Sequence, residues 1–375
     1  MPFPPGAIRD AIVEYLTVSA SEATTNEIMQ AVQARLGKVP ASSIRSYLSL
    51  NTPTRFERTG RGRYSLQAYQ GGNASHSVTP LDFRSETLGA AQAVHADCFD
   101  WLACQPEKTI HAIVTDPPYG LVEYTEKETS KLRSGKGGIW RIPPAFDGHQ
   151  RAPLPRFTVL DQNDKEKLYM FFKKFGSLAK KVIVPGGNVV IASNPLLTHI
   201  VSSAMIETGF ELRGYLARQV MTMRGGDRPK NAHEEFFDVS VMPRSQWEPW
   251  VVLRAPIEGR VQDNLRKWRT GGFRRVSAEK PFGDLITSHP TPASEKKIAP
   301  HPSLKPQAFM RQLVRGVLPL GEGVVLDPFM GAGSTLAAAN AVGYRSIGIE
   351  MDKTFFDLAK SAVPKLTQLK VKNNE

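Results

Sequence analysis

Four consecutive residues, Asp116-Pro117-Pro118-Tyr119, follow the apolar run Ile110-His111-Ala112-Ile113-Val114-Thr115. That run reads as a buried strand, and in open α/β sheets ligands bind outside the carboxyl ends of strands. Two prolines fix φ and remove two backbone N–H donors. The Pro117 carbonyl and the Asp116 carboxylate are then presented as rigid acceptors, with Pro118 stiffening the turn. An amino group on an aromatic base is a poor nucleophile, because its lone pair is delocalised into the ring. Two acceptors on its N–H bonds draw the nitrogen towards sp³ and localise that pair, so that an adjacent methylsulfonium can be attacked in line. Tyr119 would stack on a base flipped out of a duplex. The bland alternative is a proline-rich turn beside a buried tyrosine. The buried strand before the motif and the tyrosine within it favour the chemistry.

A second motif lies far along the chain. Gly323-Val324-Val325-Leu326-Asp327-Pro328-Phe329-Met330-Gly331-Ala332-Gly333-Ser334-Thr335 reads as strand, glycine turn, helix. Glycines there let a ligand approach the backbone at a helix N-terminus. A dinucleotide fingerprint would need a third glycine where Leu336 stands, and a P-loop would need a lysine before Ser334 or Thr335; neither is present. Glu350 ends the next apolar run, at close to the roughly 20-residue spacing expected of a ribose-binding carboxylate. Taken singly, the glycines could form an ordinary tight turn and Glu350 a solvated strand end.

These residues need a scaffold. From about residue 86 the chain alternates β-branched runs with helical patterns. Strands are expected at Ile110–Val114, Asn188–Ala192, Val239–Met242, Val324–Leu326 and Ser346–Ile349, and helices at Lys165–Lys181, Leu196–Thr208, Pro306–Val317 and Ser334–Val342. Such alternation predicts an α/β, Rossmann-like fold with a doubly wound, mostly parallel sheet. Residues 121–158 and 244–300 break it and read as insertions over the ligand face. The first is polar with Gly and Pro; the second is rich in Trp, Arg and Pro without clear periodicity.

Residues 1–67 read as a separate unit, joined by a polar, Gly/Ser-rich linker over 68–85. A helix over Ala7–Tyr15, a second over Asn26–Leu36 capped by Thr25 and ended by Gly37, and a third from Pro40 to Leu50 precede a basic hairpin over Arg55–Leu66. This order resembles a winged helix-turn-helix. The resemblance implies that Ser42, Ser43, Arg45 and Ser46 lie on a recognition helix and that Arg58, Arg61 and Arg63 reach phosphates from the wing. A protein-binding module with a solvated charged hairpin is the alternative.

Together the motifs resemble the amino-group DNA methyltransferases of the β arrangement. There the Asp-Pro-Pro-Tyr motif comes first and the Phe-x-Gly-x-Gly cofactor motif last, a circularly permuted order that this chain shares over roughly residues 88–370. The resemblance implies an S-adenosyl-L-methionine-dependent methyltransferase fold. It implies that Asp97 and the Cys98 backbone contact the cofactor adenine, although Ala96 stands where the family usually has glycine. Asp116, Phe329, Gly331, Gly333 and Glu350 would also line the cofactor site, with Lys305 near its carboxylate and Asp327 and Thr335 at its methionine end. The basic loop carrying Arg224, Arg228 and Lys230 would touch the base or phosphates, and 244–300 would recognise the target. Asp at the first motif position points to N6 of adenine; Ser there would point to N4 of cytosine. An inactive, DNA-binding relative is a further alternative, opposed by the intact motif residues.

Composition agrees. A net charge of +12 favours a polyanionic partner, which the resemblance implies is double-stranded DNA. Neither Cys98 nor Cys104 follows a proline as a C5-cytosine nucleophile requires, and two cysteines are too few for a disulfide framework or a Cys-rich zinc site. No metal is expected. No apolar run reaches the roughly 18 residues of a membrane span. A cytoplasmic protein is expected. Whether a cognate restriction endonuclease or a second copy in a homodimer joins the DNA as partner is open at this level.

Overall fold

The computed structural model describes residues 7–18, 22–37, 39–50, 52, 56–60, 62–66, 83–118, 162–220, 229, 232, 234–241, 243, 245–301 and 303–371. The chain forms two compact units, 1–81 and 82–375.

The smaller unit has helices α1 (Ala7–Val18), α2 (Thr25–Leu36) and α3 (Ala41–Leu50). Strand β1 (Ala23–Thr24) joins the hairpin strands β2 (Phe56–Gly60) and β3 (Arg63–Leu66) in an antiparallel sheet of order β1-β3-β2. Ile12, Ile28, Ile44, Leu48 and Phe56 are fully buried between helices and sheet. The expected cap of α2 moves by one residue. Thr24, not Thr25, accepts from the Glu27 backbone, and the Glu27 side chain accepts in return from the Thr24 N–H. Thr25 instead donates its hydroxyl to the Gly62 carbonyl at 2.9 Å, tying the helix start to the hairpin turn.

The larger unit is built on nine strands in the order β10-β8-β9-β7-β6-β11-β12-β5-β4. They are β4 (Ser85–Leu88), β5 (Ala91–His95), β6 (Ile110–Thr115), β7 (Ile183–Ala192), β8 (Glu211–Gln219), β9 (Trp247–Arg254), β10 (Leu285–Thr287), β11 (Val324–Asp327) and β12 (Arg345–Glu350). Only β4 and β9 run antiparallel to their neighbours. Period-two alternation sends Ile113, Val189, Ile191, Val251 and Leu253 to one face. Helices α4 (Cys98–Cys104), α5 (Gln162–Val182) and α6 (Thr198–Glu207) cover that face. Ala112, Val114, Val190, Trp250 and Val252 point the other way, against α9 (Gln307–Val317) and α10 (Ser334–Ala341). Because both faces are buried, these strands read as continuous apolar runs. The remaining helices are α7 (Val261–Trp268), α8 (Ala293–Ile298) and α11 (Lys353–Thr367).

The expected α/β fold is therefore present, with corrections. Val239–Val241 is not a strand, and its turn-flanked side chains are exposed. The strand of this region is β9, inside the stretch read as an insertion. Its apolar run Trp250-Val251-Val252-Leu253 was hidden among Trp and Arg residues, yet it forms a ladder with both β7 and β8. Ser85 begins β4 rather than ending a linker. The 121–158 segment lies outside the described residues.

Placement of the arginines in 244–300 also differs from expectation. Strand β9 carries the chain from the carboxyl edge of the parallel strands to their amino edge, where the Gly186 N–H donates to the Ala255 carbonyl. Arg269 pairs with Glu322 just before β11, and Arg274 donates to the Tyr344 hydroxyl just before β12. Arg260 and Arg266 both pair with Asp263. These cations sit at the end of the sheet away from Asp116, and each has a partner within the protein.

Candidate active site

Strands β6, β11, β12 and β5 are adjacent and parallel, so their carboxyl ends form one edge. Asp116 follows β6, Asp327 closes β11, Glu350 closes β12 and Asp97 lies just beyond β5. The strand order reverses between β6 and β11, which makes the crevice above them the switch point where ligands bind in open α/β sheets. The sheet thus brings together polar residues that lie more than 200 apart in sequence, Thr115 and Asp327 being separated by 212.

Both carboxylate oxygens of Asp327 are hydrogen-bonded. Its Oδ1 accepts from the Thr115 hydroxyl at 2.7 Å and the Phe329 N–H at 3.1 Å, and its Oδ2 accepts from the Thr335 hydroxyl at 2.5 Å. Burial raises its pKa to about 6, against the pull of those hydrogen bonds. Asp327 and Thr335, expected at the methionine end of a cofactor, are thus bonded to each other and to the end of β6.

Glu350 laces the glycine turn. Its Oε2 accepts from the Gly331 N–H at 3.0 Å and its Oε1 from the Asp352 N–H at 2.8 Å, while burial raises its pKa. Gly331 (φ 50) and Gly333 (φ 83) both occupy the left-handed region. A Cβ on Gly331 would meet the His301 ring at 3.0 Å, and one on Gly333 would meet Val363 Cγ2 at 2.4 Å. The turn feeds directly into α10, whose first backbone N–H groups face the same edge. Phe329 packs on Phe171 and Phe175 of α5, with ring centroids 5.8 Å apart in both pairs. Asp97 caps α4 by accepting from the Phe99 N–H at 2.8 Å, and Cys98 is buried with its thiol pKa pushed up by burial.

Pro117 is buried and Pro118 exposed; Tyr119 lies outside the described residues. Asp116 is half-buried, and its Oδ2 lies 2.7 Å from the Lys305 ammonium. Lys305 therefore reaches the acid of the tetrapeptide itself. Sequence reasoning missed what stands behind it. Glu248 Oε1 is 3.5 Å from Lys305, and Glu248 Oε2 accepts from Arg218 at 3.0 Å. Burial pulls the Lys305 pKa down, but the Asp116 and Glu248 carboxylates outweigh it and leave the pKa raised. Burial pushes Glu248 up, and Lys305 and Arg218 more than reverse this, holding it low. The signal available was a lone acid inside the run Trp247-Glu248-Pro249-Trp250. His301 also lies here, its Nδ1 accepting from the Ser303 N–H at 3.2 Å, with burial lowering its pKa.

In the smaller unit Arg45, Arg58 and Arg63 are exposed, and Arg63 pairs with Glu22 at 2.9 Å. Arg61, Arg224, Arg228 and Lys230 lie outside the described residues, as do the side chains of Ser42, Ser43 and Ser46. Among the described residues there is no cluster suited to a metal ion, and no helix is long and apolar enough to cross a membrane.

Two outcomes follow from this geometry. Replacing Gly333 by Ala should cost at least about 2 kcal/mol in urea unfolding, from left-handed strain plus the Val363 clash. Adding Val363→Ala should recover the clash part only. The raised Asp327 pKa has a definite sign: the unfolded carboxyl ionises near 3.8 and the folded one near 6, so this group's stabilisation is full below pH 4 and lost as pH rises to 6. The stability of wild type relative to Asp327→Asn should therefore fall by about 2 kcal/mol between pH 4.5 and pH 7. An unchanged difference would show that the carboxyl is not raised.

Comparison with known proteins bears on the same elements. A family model described as DNA methylase, of the N6/N4 methyltransferase class, matches residues 110–361. The type II methyltransferase M2.DpnII of Streptococcus pneumoniae is 24% identical over 267 residues, covering 71% of this chain and 87% of that protein. M2.MboI of Moraxella bovis is 22% identical over 273 residues, covering 72% and 86%. The solved structure of the cytosine-N4-specific PvuII DNA methyltransferase aligns with a TM-score of 0.48 at 15% identity, over 76% of this chain and 88% of that one. The matched span runs from the strand before Asp116 to the helix after Glu350, and on that match the chain belongs to the N6/N4 DNA methylase family, whose members methylate DNA with S-adenosyl-L-methionine.

Proposed function

We propose that this chain methylates N6 of adenine in double-stranded DNA, acting on a base flipped out of the duplex. The observation that carries this reading is Asp116 at the switch-point end of β6, with Pro117 buried directly behind it. The Asp116 carboxylate and the Pro117 carbonyl are the two acceptors for the N–H bonds of the target amino group. Asp rather than Ser at the first motif position favours adenine. Tyr119 would cover the face of the flipped base.

The edge residues fit S-adenosyl-L-methionine by their donor set. Glu350 offers a carboxylate to ribose hydroxyls, and Asp97 with the Cys98 backbone offers polar contacts to adenine. Gly331 and Gly333 allow close approach beside Phe329. Lys305 supplies a cation for the carboxylate, and Asp327 with Thr335 supports the methionine end. When bound, the cofactor supplies an electrophilic methyl group on a sulfonium. The protein's own part is to draw the base nitrogen towards sp³ and to exclude water from the reacting pair.

The smaller unit would add DNA affinity through Ser43 and Arg45 of α3 and through Arg58, Arg61 and Arg63 of the hairpin, with Arg224, Arg228 and Lys230 acting near the base. The type II relatives favour a modification enzyme paired with a cognate restriction endonuclease.

Incubation with radiolabelled cofactor and DNA, followed by digestion to nucleosides, should place the label in N6-methyladenine. Label in N4-methylcytosine would overturn the adenine assignment. Asp116→Ala should lower transfer on the order of 100-fold or more while cofactor binding stays nearly unchanged. Arg58→Ala should weaken DNA binding across all sequences and reduce the salt slope of log K by about 1. An unchanged slope would remove the hairpin from the DNA-binding surface.

A further inference from the structure

Arg218 and Glu248 face each other across the β8–β9 ladder, at the same edge of the sheet as Asp116. Their side chains are only 6% and 13% exposed. Arg218 is fixed on every side. Its Nε donates to Ser288 Oγ, one terminal nitrogen to Glu248 Oε2 and the other to the His289 carbonyl, each at 3.0 Å. Its guanidinium also lies 5.2 Å from the centre of the Phe309 ring. Glu248 Oε1 accepts from the Trp250 indole N–H at 2.9 Å and lies 3.5 Å from Lys305 Nζ. Lys305 in turn reaches Asp116 Oδ2 at 2.7 Å. Four charges thus alternate in sign from a locked guanidinium to the acid of the tetrapeptide.

Buried ion pairs seldom stabilise a fold more than apolar side chains of the same size would. A row of four at the reactive edge therefore points to a task other than stability. An ammonium on a four-carbon stem is a poor positioning device by itself, because it is a point charge that can swing. A second carboxylate on its far side restricts that swing. The lysine backbone is already held, since Leu304 is buried and the Gln307 N–H at the start of α9 donates to Glu295 Oε2 at 3.0 Å.

We propose that Glu248, anchored by Arg218 and Trp250, is a positioning residue that fixes the Lys305 ammonium and, through it, the direction in which the Asp116 carboxylate meets the amino group being methylated. This rests on reading Asp116 as an acceptor for that group. Glu248 touches neither substrate nor cofactor in this role. The groups facing Lys305 are Asp116 after β6, Glu248 on β9, Arg218 on β8 and His301 on its own segment. Removing the Glu248 charge leaves one carboxylate to oppose burial, so the ammonium should lose its proton at lower pH.

The test uses the full chain, duplex DNA and labelled S-adenosyl-L-methionine, counting all methyl transferred whichever base receives it. Glu248→Gln keeps the shape and an oxygen for Trp250. It should lower kcat on the order of 10-fold or more, as loss of alignment does, with KM for DNA within about twofold. The alkaline limb of the kcat profile should move to lower pH. Glu248→Asp retains the charge and should leave that limb in place while recovering part of kcat. In a Lys305→Met background, Glu248→Gln should cost nothing further, because the path runs through the lysine. A wild-type kcat and alkaline limb in Glu248→Gln overturns the proposal, as does a full additional loss in the Lys305→Met background. Should Glu248→Gln fail to fold, a Glu248→Asp limb shifted as far as that of Lys305→Arg overturns it instead. An active Asp116→Ala would sink the acceptor reading itself; an inactive Asp116→Ala beside an unaffected Glu248→Gln sinks only the positioning role.

Discussion

The structure turns on the pairing of β6 with β11. Val325 sits opposite Ala112 and Leu326 opposite Ile113, which sets the ends of the two strands level. The Thr115 hydroxyl then meets the Asp327 carboxylate, and the two polar strand ends close into one buried knot. Because the side-chain period of a strand is two, a slip of one residue would turn Asp327 away and bury its neighbours on the wrong face. The relative height of the tetrapeptide and the glycine turn is thus fixed by apolar packing beneath them. The polar residues above inherit their geometry from that packing.

Around this knot the edge is divided by charge. Acids stand at the ends of β6, β11, β12 and beyond β5, while the paired cations Arg218 and Lys305 approach from β8 and the segment before α9. The arginines of α7 and the segment after it are kept at the other end of the sheet by partners such as Glu322 and Tyr344. A net charge of +12 says nothing of this segregation. It shows only in the direction of β9, which runs antiparallel and takes the chain from one edge to the other.

Much of the scaffold could be read from the chain because its central strands are buried on both faces. The expected runs at Ile110, Asn188, Val324 and Ser346 all lie within observed strands, and the four expected helices of the larger unit fall within three residues of their observed ends. Elements with weaker patterns were lost. Strand β8 carries exposed Leu212 and Tyr215, so its alternation is blurred, and α11 contains Pro364. At the site, residues in contiguous motifs were legible because turn chemistry and strand ends are local. Glu248 and Arg218 were not, because their meaning lies in a cross-strand pair whose register is set by tertiary packing.

The order of the strands along the chain has a consequence for synthesis. Strands β5 and β6 emerge early, but they neighbour β12 and β11, which come last. Closing loops of this length is slow compared with local folding, because the entropy of the intervening chain must be overcome before any contact forms. A nascent chain therefore holds Asp116 long before it holds the glycine turn. The reactive edge cannot be completed until β11 and β12 have been synthesised, so a chain truncated before β11 keeps Asp116 without the glycine turn.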